Sequence, residues 1–174
     1  MALSPSHVLD KLTQPLFLVR AAALFSAACL SFALYTQYFQ GLAPCELCIW
    51  QRWPYGIIAA LGVVSLAVPR LALPLLFAVA LLFLTNAGVA LFHTGVEQKW
   101  WAGLEGCSPK LDFNVSLDQM LAQLEAEPVT RCDAIAWTFL GLSMAAWNVV
   151  ICLFAAIFCL VSGLRGQSRA LKRD

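Results

Sequence analysis

Four apolar runs, each close to twenty residues long, leave this chain few ways to fold. They extend from about Phe17 to Phe39, Ile49 to Val68, Leu71 to Phe92 and Ile135 to Val161. A helix needs roughly 20 residues to cross about 30 Å of hydrocarbon, so each run is a candidate span. Helix is required, because a lone strand in lipid would leave its backbone groups unpaired. The chain has 174 residues, of which 61% are hydrophobic and only 12% charged. No soluble domain of that size has an interior large enough for so much apolar side chain. The expectation is an all-α integral membrane protein, a bundle of four transmembrane helices, read as one domain over residues 1–174.

Charge sets the orientation. Lys11, Arg20, Arg70, Arg165, Arg169, Lys172 and Arg173 fall on one side of the four runs, and Arg52, Lys99, Lys110 and Arg131 on the other. All acidic residues except Asp10 and Asp174 share the second side. The excess of Lys and Arg predicts that both termini are cytoplasmic. The six Trp, at 50, 53, 100, 101, 137 and 147, lie on or near the opposite side, as an interfacial belt does. The first run is too long for a cleaved leader and reads as an uncleaved signal anchor. "SAAC" ahead of Leu30 lacks the surroundings of a lipoprotein site. The short turn "VPRLALP" makes runs two and three a tight hairpin. The net charge of +1 and the absence of a basic stripe speak against nucleic acid.

Seven cysteines divide by depth. Cys29, Cys152 and Cys159 lie inside runs and read as small buried hydrophobes. Cys45, Cys48, Cys107 and Cys132 lie outside the runs, on the side where disulfides persist. Four cysteines allow three pairings, of which Cys45–Cys48 with Cys107–Cys132 is the simplest. Closing the loop between Cys107 and Cys132 could stabilise the fold by about 3 kcal/mol in the loop-entropy account. A Cys45–Cys48 bridge closes almost no loop and gains little. Cys-x-x-Cys is used where a bridge must open and close, or where zinc binds. Zinc normally wants a second such pair or a nearby His, and neither stands close in sequence, so no metal is expected.

Cys48 lies near the start of the second run, where a helix N-terminus favours a thiolate. Arg52 follows four residues later. If the helix has begun, both lie on one face, and the permanent charge of Arg52 favours the anion further. Pro54 either marks the first turn of that helix or interrupts it. Arg52 could also be a plain interfacial anchor.

Residues 94–134 form the long outer loop. Within "SLDQMLAQLEAE", Leu117, Met120, Leu121 and Leu124 repeat at helical spacing behind a Ser116/Gln119 capping box, so a short amphipathic helix is expected. "GCSPK" and "VTRCD" around it look flexible, which would leave a Cys107–Cys132 bridge open to an incoming thiolate. His93 ends the third run as a wet interfacial residue or a proton carrier. Thr85 and Asn86 suit helix–helix hydrogen bonds.

"PCELCIWQR", a Cys in a long outer loop, then "RCD" followed by "WTFLGLSMAAW", resembles the bacterial disulfide-bond formation protein B (DsbB) family over nearly the whole chain. The resemblance implies a multi-pass protein of the bacterial inner membrane with its active cysteines periplasmic. It implies a quinone-dependent protein-disulfide oxidoreductase that re-oxidises a periplasmic DsbA-type thiol oxidase. Cys107 would form the mixed disulfide with that partner, electrons would pass through a Cys45–Cys132 linkage, and Cys48 beside Arg52 would donate to ubiquinone or menaquinone. Arg52, Cys48, His93 and Met144 would surround the quinone. Such a chain must run downhill, and about 30 mV is worth about 1.4 kcal/mol for two electrons. Gln51, where enterobacterial relatives resemble Glu, and Pro54 depart from the pattern. The alternatives are a non-catalytic tetraspan scaffold with structural disulfides, a vitamin K epoxide reductase type of enzyme, whose Cys-x-x-Cys comes after the loop cysteines, and a reductase running electrons outward.

Overall fold

The computed structural model describes residues 14–104, 107, 116, 118, 119 and 130–171. Helix α1 spans Pro15–Phe39, α2 Glu46–Ala67, α3 Ala72–Glu97 and α4 Met144–Leu171. A single 3-10 turn, Pro69–Leu71, joins α2 to α3, as the proline-rich hairpin predicts. All four helices are long and apolar enough to cross a membrane. Leu24, Phe32, Val63, Leu81 and Phe154 point outward from the bundle. Such a surface would aggregate in water and is in its proper solvent in lipid.

Helix α3 is the hub. It packs along α4 and also touches α2 and α1, whereas α1 and α4 meet only sparsely. The core between them contains Val19, Ile58, Leu76, Val79, Phe83 and Cys152. Lipid is as apolar as these side chains, so close packing holds the helices together rather than escape from water. Small residues permit it: a Cβ at Gly62 would lie 2.2 Å from the Ala23 Cβ, and one at Gly163 would lie 3.1 Å from the Phe77 ring. A Cβ at Gly166 would meet Pro15 and Leu73, so the starts of α1 and α3 and the end of α4 share one end of the bundle.

Two boundaries differ from the sequence reading. The fourth run begins at Ile135, but α4 begins nine residues later. Thr138–Phe139 and Leu142–Ser143 instead form a two-stranded antiparallel hairpin. Its central residues, Leu140 (φ 50°) and Gly141 (φ 79°), both adopt left-handed backbone, as a tight hairpin turn requires. Ser143 then starts α4, its Oγ accepting the Ala146 N–H at 3.1 Å. The third run ends near Phe92, but α3 continues to Glu97. It stops in a Schellman turn: Lys99 takes φ 60°, with Trp100 N–H on Gly95 O at 2.8 Å and Lys99 N–H on Val96 O at 3.1 Å. Trp101 folds back onto Gly95, stacks on Phe92 and donates Nε1–H to its carbonyl.

Thr85 bonds its own helix at Leu81 O rather than a neighbour, whereas Asn86 reaches across to Cys152 Sγ on α4. Ser116 and Gln119 make both bonds of the expected capping box, at 3.3 and 3.4 Å. The amphipathic helix they would open, with Leu117, Met120, Leu121 and Leu124, lies outside the described residues, as do Lys11, Lys110, Lys172 and Arg173.

The Gly62–Ala23 approach gives a test. Gly62→Val should force α1 away from α2 and cost about 1–3 kcal/mol, the usual range for overpacking. The thermal midpoint of the purified protein in detergent should fall by several degrees. An unchanged midpoint would mean that the two helices do not pack at this point.

Candidate functional site

Cys45 is the N-cap of α2: its Sγ accepts the backbone N–H of Cys48 at 3.3 Å. The helix has therefore begun by Glu46, which settles two questions left open by the sequence. Cys48 and Arg52 are one turn apart on the same face. Pro54 lies well inside the helix, which runs through it although Pro54 has no N–H to offer the carbonyl four residues back.

The two sulfurs are free and 2.9 Å apart. His93 Nε2 lies 3.5 Å from Cys45 Sγ. His93 is only 4% exposed, so the expectation of a wet interfacial residue fails. Its place on α3 sets it inside the bundle beside the start of α2. Gln51 Nε2–H donates to His93 Nδ1 at 2.9 Å and to Leu47 O at 3.2 Å. Asn148 Nδ2–H donates to Gln51 Oε1 at 2.6 Å, and Tyr55 O–H donates to Asn148 Oδ1 at 2.5 Å. The donors all point one way, toward the cysteine pair. With Nδ1 accepting, the ring proton sits on Nε2 and faces Cys45 Sγ. Cys152, expected to be a mere apolar filler, sits against the far end of this chain at Tyr55, while Cys159 is buried among apolar groups and Cys29 is half-buried.

Arg52 is not a solvent-facing anchor. Its guanidinium donates to Gln37 Oε1 at 2.6 Å and to Ala33 O at 3.4 Å, both on α1. Cys107 and Cys132 are joined in a disulfide with Cα atoms 4.9 Å apart. The bridge does not stand free on a loop, as the sequence suggested. Cys107 and Cys132 are 1% and 0% exposed and pack with Cys45, Leu47 and Val96, with Cys48 and Phe92 against them. A Cβ at Gly103 would lie 2.8 Å from Cys107 Cβ, so glycine there allows the bridge to dock on the end of α3.

Cys45, Cys48, Arg52, His93 and Met144 all line one cavity of about 600 Å³. Its walls come from α1, the Leu42–Pro44 linker, α2, the end of α3, the segment from Thr130 to Phe139 and the start of α4. The bridge at Cys107 and Cys132 lies beside it. Glu97, Asn148 and Trp147 also face the cavity and were not singled out from the sequence. Asn148 carried a signal that could have found it, an amide inside an apolar span. Glu97 did not, since its place depends on α3 outrunning its apolar stretch. Its carboxylate accepts a hydrogen bond from Ser143 Oγ at the head of α4 and lies 3.9 Å from His93 Nε2. Cys45 Sγ, Cys48 Sγ and His93 Nε2 lie within 4.8 Å of one another. The sequence argument against a metal, that no His is near the pair, therefore does not hold in the fold.

The family described as "Disulfide bond formation protein DsbB" matches residues 15–162. The chain belongs to the DsbB family. It is 33% identical over 153 residues to a disulfide bond formation protein B of an Azoarcus species, covering 79% of this chain and 84% of that protein. A Stutzerimonas stutzeri protein of the same name is 31% identical over 165 residues, covering 89% and 98%. One from an Acidovorax species is 34% identical over 163 residues, covering 84% and 88%. No solved structure gives a match. With its four spans, the chain is a multi-pass inner-membrane protein of a family with a disulfide oxidoreductase role.

Within this DsbB-family site the two thiols are unequal. The hydrogen bond from Cys45 to Cys48, and then burial, push the Cys45 thiol above the ordinary range. Cys45 therefore keeps its proton at neutral pH. Iodoacetamide attacks the thiolate, so in the reduced protein it should label Cys48 first, with Cys45 gaining reactivity only as the pH rises. Mass spectrometry of the labelled peptide reads the order; equal rates at neutral pH would contradict the assignment.

Proposed function

We propose that the protein re-oxidises a periplasmic DsbA-type thiol oxidase and passes the electrons through two cysteine pairs to a membrane quinone. The observation that carries this reading is the meeting of Cys48, Arg52 and His93 in one cavity whose remaining wall is largely apolar. Guanidinium and imidazole can hydrogen-bond the carbonyl oxygens of a quinone ring, and the sparse α1–α4 contact suits entry of a lipid-soluble tail. The donor set therefore fits a quinone headgroup. When bound, a quinone supplies an acceptor for two electrons and two protons.

The chain's own residues account for the rest. The partner's thiolate attacks the Cys107 sulfur, forming a mixed disulfide and releasing the Cys132 thiolate. That thiolate attacks the sulfur of Cys45 in an oxidised Cys45–Cys48 pair, giving a Cys45–Cys132 bridge and a Cys48 thiolate. The partner's second cysteine resolves the mixed disulfide and frees Cys107. Cys107 then attacks Cys132, which restores the loop bridge and releases Cys45. The partner leaves oxidised, and the two electrons now reside on Cys45 and Cys48. Packing of Cys45 with Cys107 and Cys132 in one buried cluster supports this order of exchange. Arg52 offsets the charge on Cys48 from one turn away. His93, its Nε2–H facing Cys45 Sγ, stabilises the sulfur anion that Cys45 becomes as Cys107 displaces it.

The loop bridge is buried, so it must become exposed before the partner's thiolate can reach Cys107. The excess of Lys and Arg at the opposite end supports a periplasmic position for the cysteines.

Purified protein with ubiquinone and a reduced DsbA-type oxidase should consume one quinone for each partner dithiol oxidised. Cys48→Ser should abolish consumption while the thermal midpoint stays near wild type. Arg52→Ala should slow it by at least about tenfold, as loss of a half-buried charge-assisted contact of about 1.5–3 kcal/mol requires. Undiminished consumption by Cys48→Ser would overturn the reading, and no consumption by wild type would favour a scaffold.

A further inference from the structure

We propose that the reduced Cys45–Cys48 pair and His93 form a binding site for a thiophilic divalent cation of the zinc type, and that an ion held there prevents the pair from being oxidised. The inference rests on the reading of Cys45–Cys48 as a pair that is cyclically reduced and oxidised.

The geometry is close to what such an ion requires. Zinc sits about 2.3 Å from thiolate sulfur and about 2.0–2.1 Å from imidazole nitrogen in a tetrahedral array. Those lengths ask for sulfurs about 3.8 Å apart and a sulfur–nitrogen separation of about 3.6 Å. Cys45 Sγ and His93 Nε2 already stand at 3.5 Å. The sulfurs, at 2.9 Å, must open by about 0.9 Å, which a turn of the half-buried Cys48 side chain toward the cavity provides. Glu97 stands next to His93, its Oε1 3.9 Å from Nε2. Three protein ligands and one open position is the arrangement of an accessible rather than a closed structural site.

Charge also balances. A divalent ion displaces the two thiol protons, and two thiolates with one such ion are neutral in a dry pocket. The Arg52 guanidinium, one turn along α2 from Cys48, is already hydrogen-bonded to Gln37 Oε1 and Ala33 O on α1. A metal-bound Nε2 needs the ring proton on Nδ1. The Gln51 amide can serve that tautomer by turning over, so that Oε1 accepts Nδ1–H, with the Asn148 amide turning in step and the Gln51 bond to Leu47 O given up.

Binding moves no electrons: two protons leave and two sulfur–metal bonds form. While the ion stays, both thiolates are engaged and no Cys45–Cys48 disulfide can close. A disulfide has no thiolate to offer, so only the electron-loaded protein is trapped.

Cobalt(II) is the probe, added to purified protein in detergent after reduction. One equivalent should produce sulfur-to-cobalt charge-transfer absorption and tetrahedral d–d bands, and zinc should displace it. Protein with Cys45–Cys48 oxidised should show neither. Cys48→Ser should abolish the bands and Cys159→Ser should not. His93→Gln should weaken affinity by at least about tenfold, whereas Gln51→Glu, whose carboxylate accepts Nδ1–H directly, should strengthen it. Bands that persist in Cys48→Ser, or equal affinities for His93→Gln and wild type, would overturn the proposal. Metal-free quinone turnover of the same preparation reports separately on the redox reading, so either can fail alone.

Discussion

The cysteine-bearing end of the bundle depends on one meeting, that of α3 with the first turn of α2. His93 touches Cys45 through one ring nitrogen and Gln51 through the other. Neither contact would exist if α3 stopped where its apolar stretch stops. The Schellman turn after Glu97 then reverses the chain tightly enough for Trp101 to lie on Gly95 and for Cys107 to dock on Val96. A helix overrunning its hydrocarbon run by about one turn thus brings both cysteine pairs, a histidine and a carboxylate to one place.

That placement lets an apolar bundle carry redox chemistry. A buried thiolate is costly unless something offsets it. Here the free N–H groups at the start of α2 and Arg52 one turn later face the same small region. The donor chain from Tyr55 through Asn148 and Gln51 to His93 fixes the direction in which the imidazole points. Each such bond in a membrane protein is worth about 0.6 kcal/mol on average, so the chain matters more for orientation than for stability. An amide at position 51 suits it, because it donates to His93 and accepts from Asn148 without changing charge.

Much of the frame was legible in the sequence because apolar length in lipid has few interpretations. The four runs became α1 to α4, and Cys48 and Arg52 share a face because they are four apart in a helix that has already begun. Misreadings came where apolarity and helix part company. Ile135–Leu142 is apolar, but Leu140 and Gly141 adopt left-handed backbone and make a hairpin. Thr94–Glu97 is not apolar, yet it is helical. The burial of His93, the shielding of the Cys107–Cys132 bridge and the place of Glu97 arise only when separate segments meet, so no local pattern could announce them. Residues that lie far apart along the chain also undid the argument against a metal.

The central claim is that electrons leave the protein from Cys45 and Cys48 into the cavity beside them. The most direct measurement is a single anaerobic turnover of reduced Cys107→Ser/Cys132→Ser protein with one equivalent of ubiquinone and no thiol oxidase. The account predicts loss of two thiols, mapped to Cys45 and Cys48, for each quinone consumed. Quinone consumed without a Cys45–Cys48 disulfide, or a thiol count left unchanged, would contradict it.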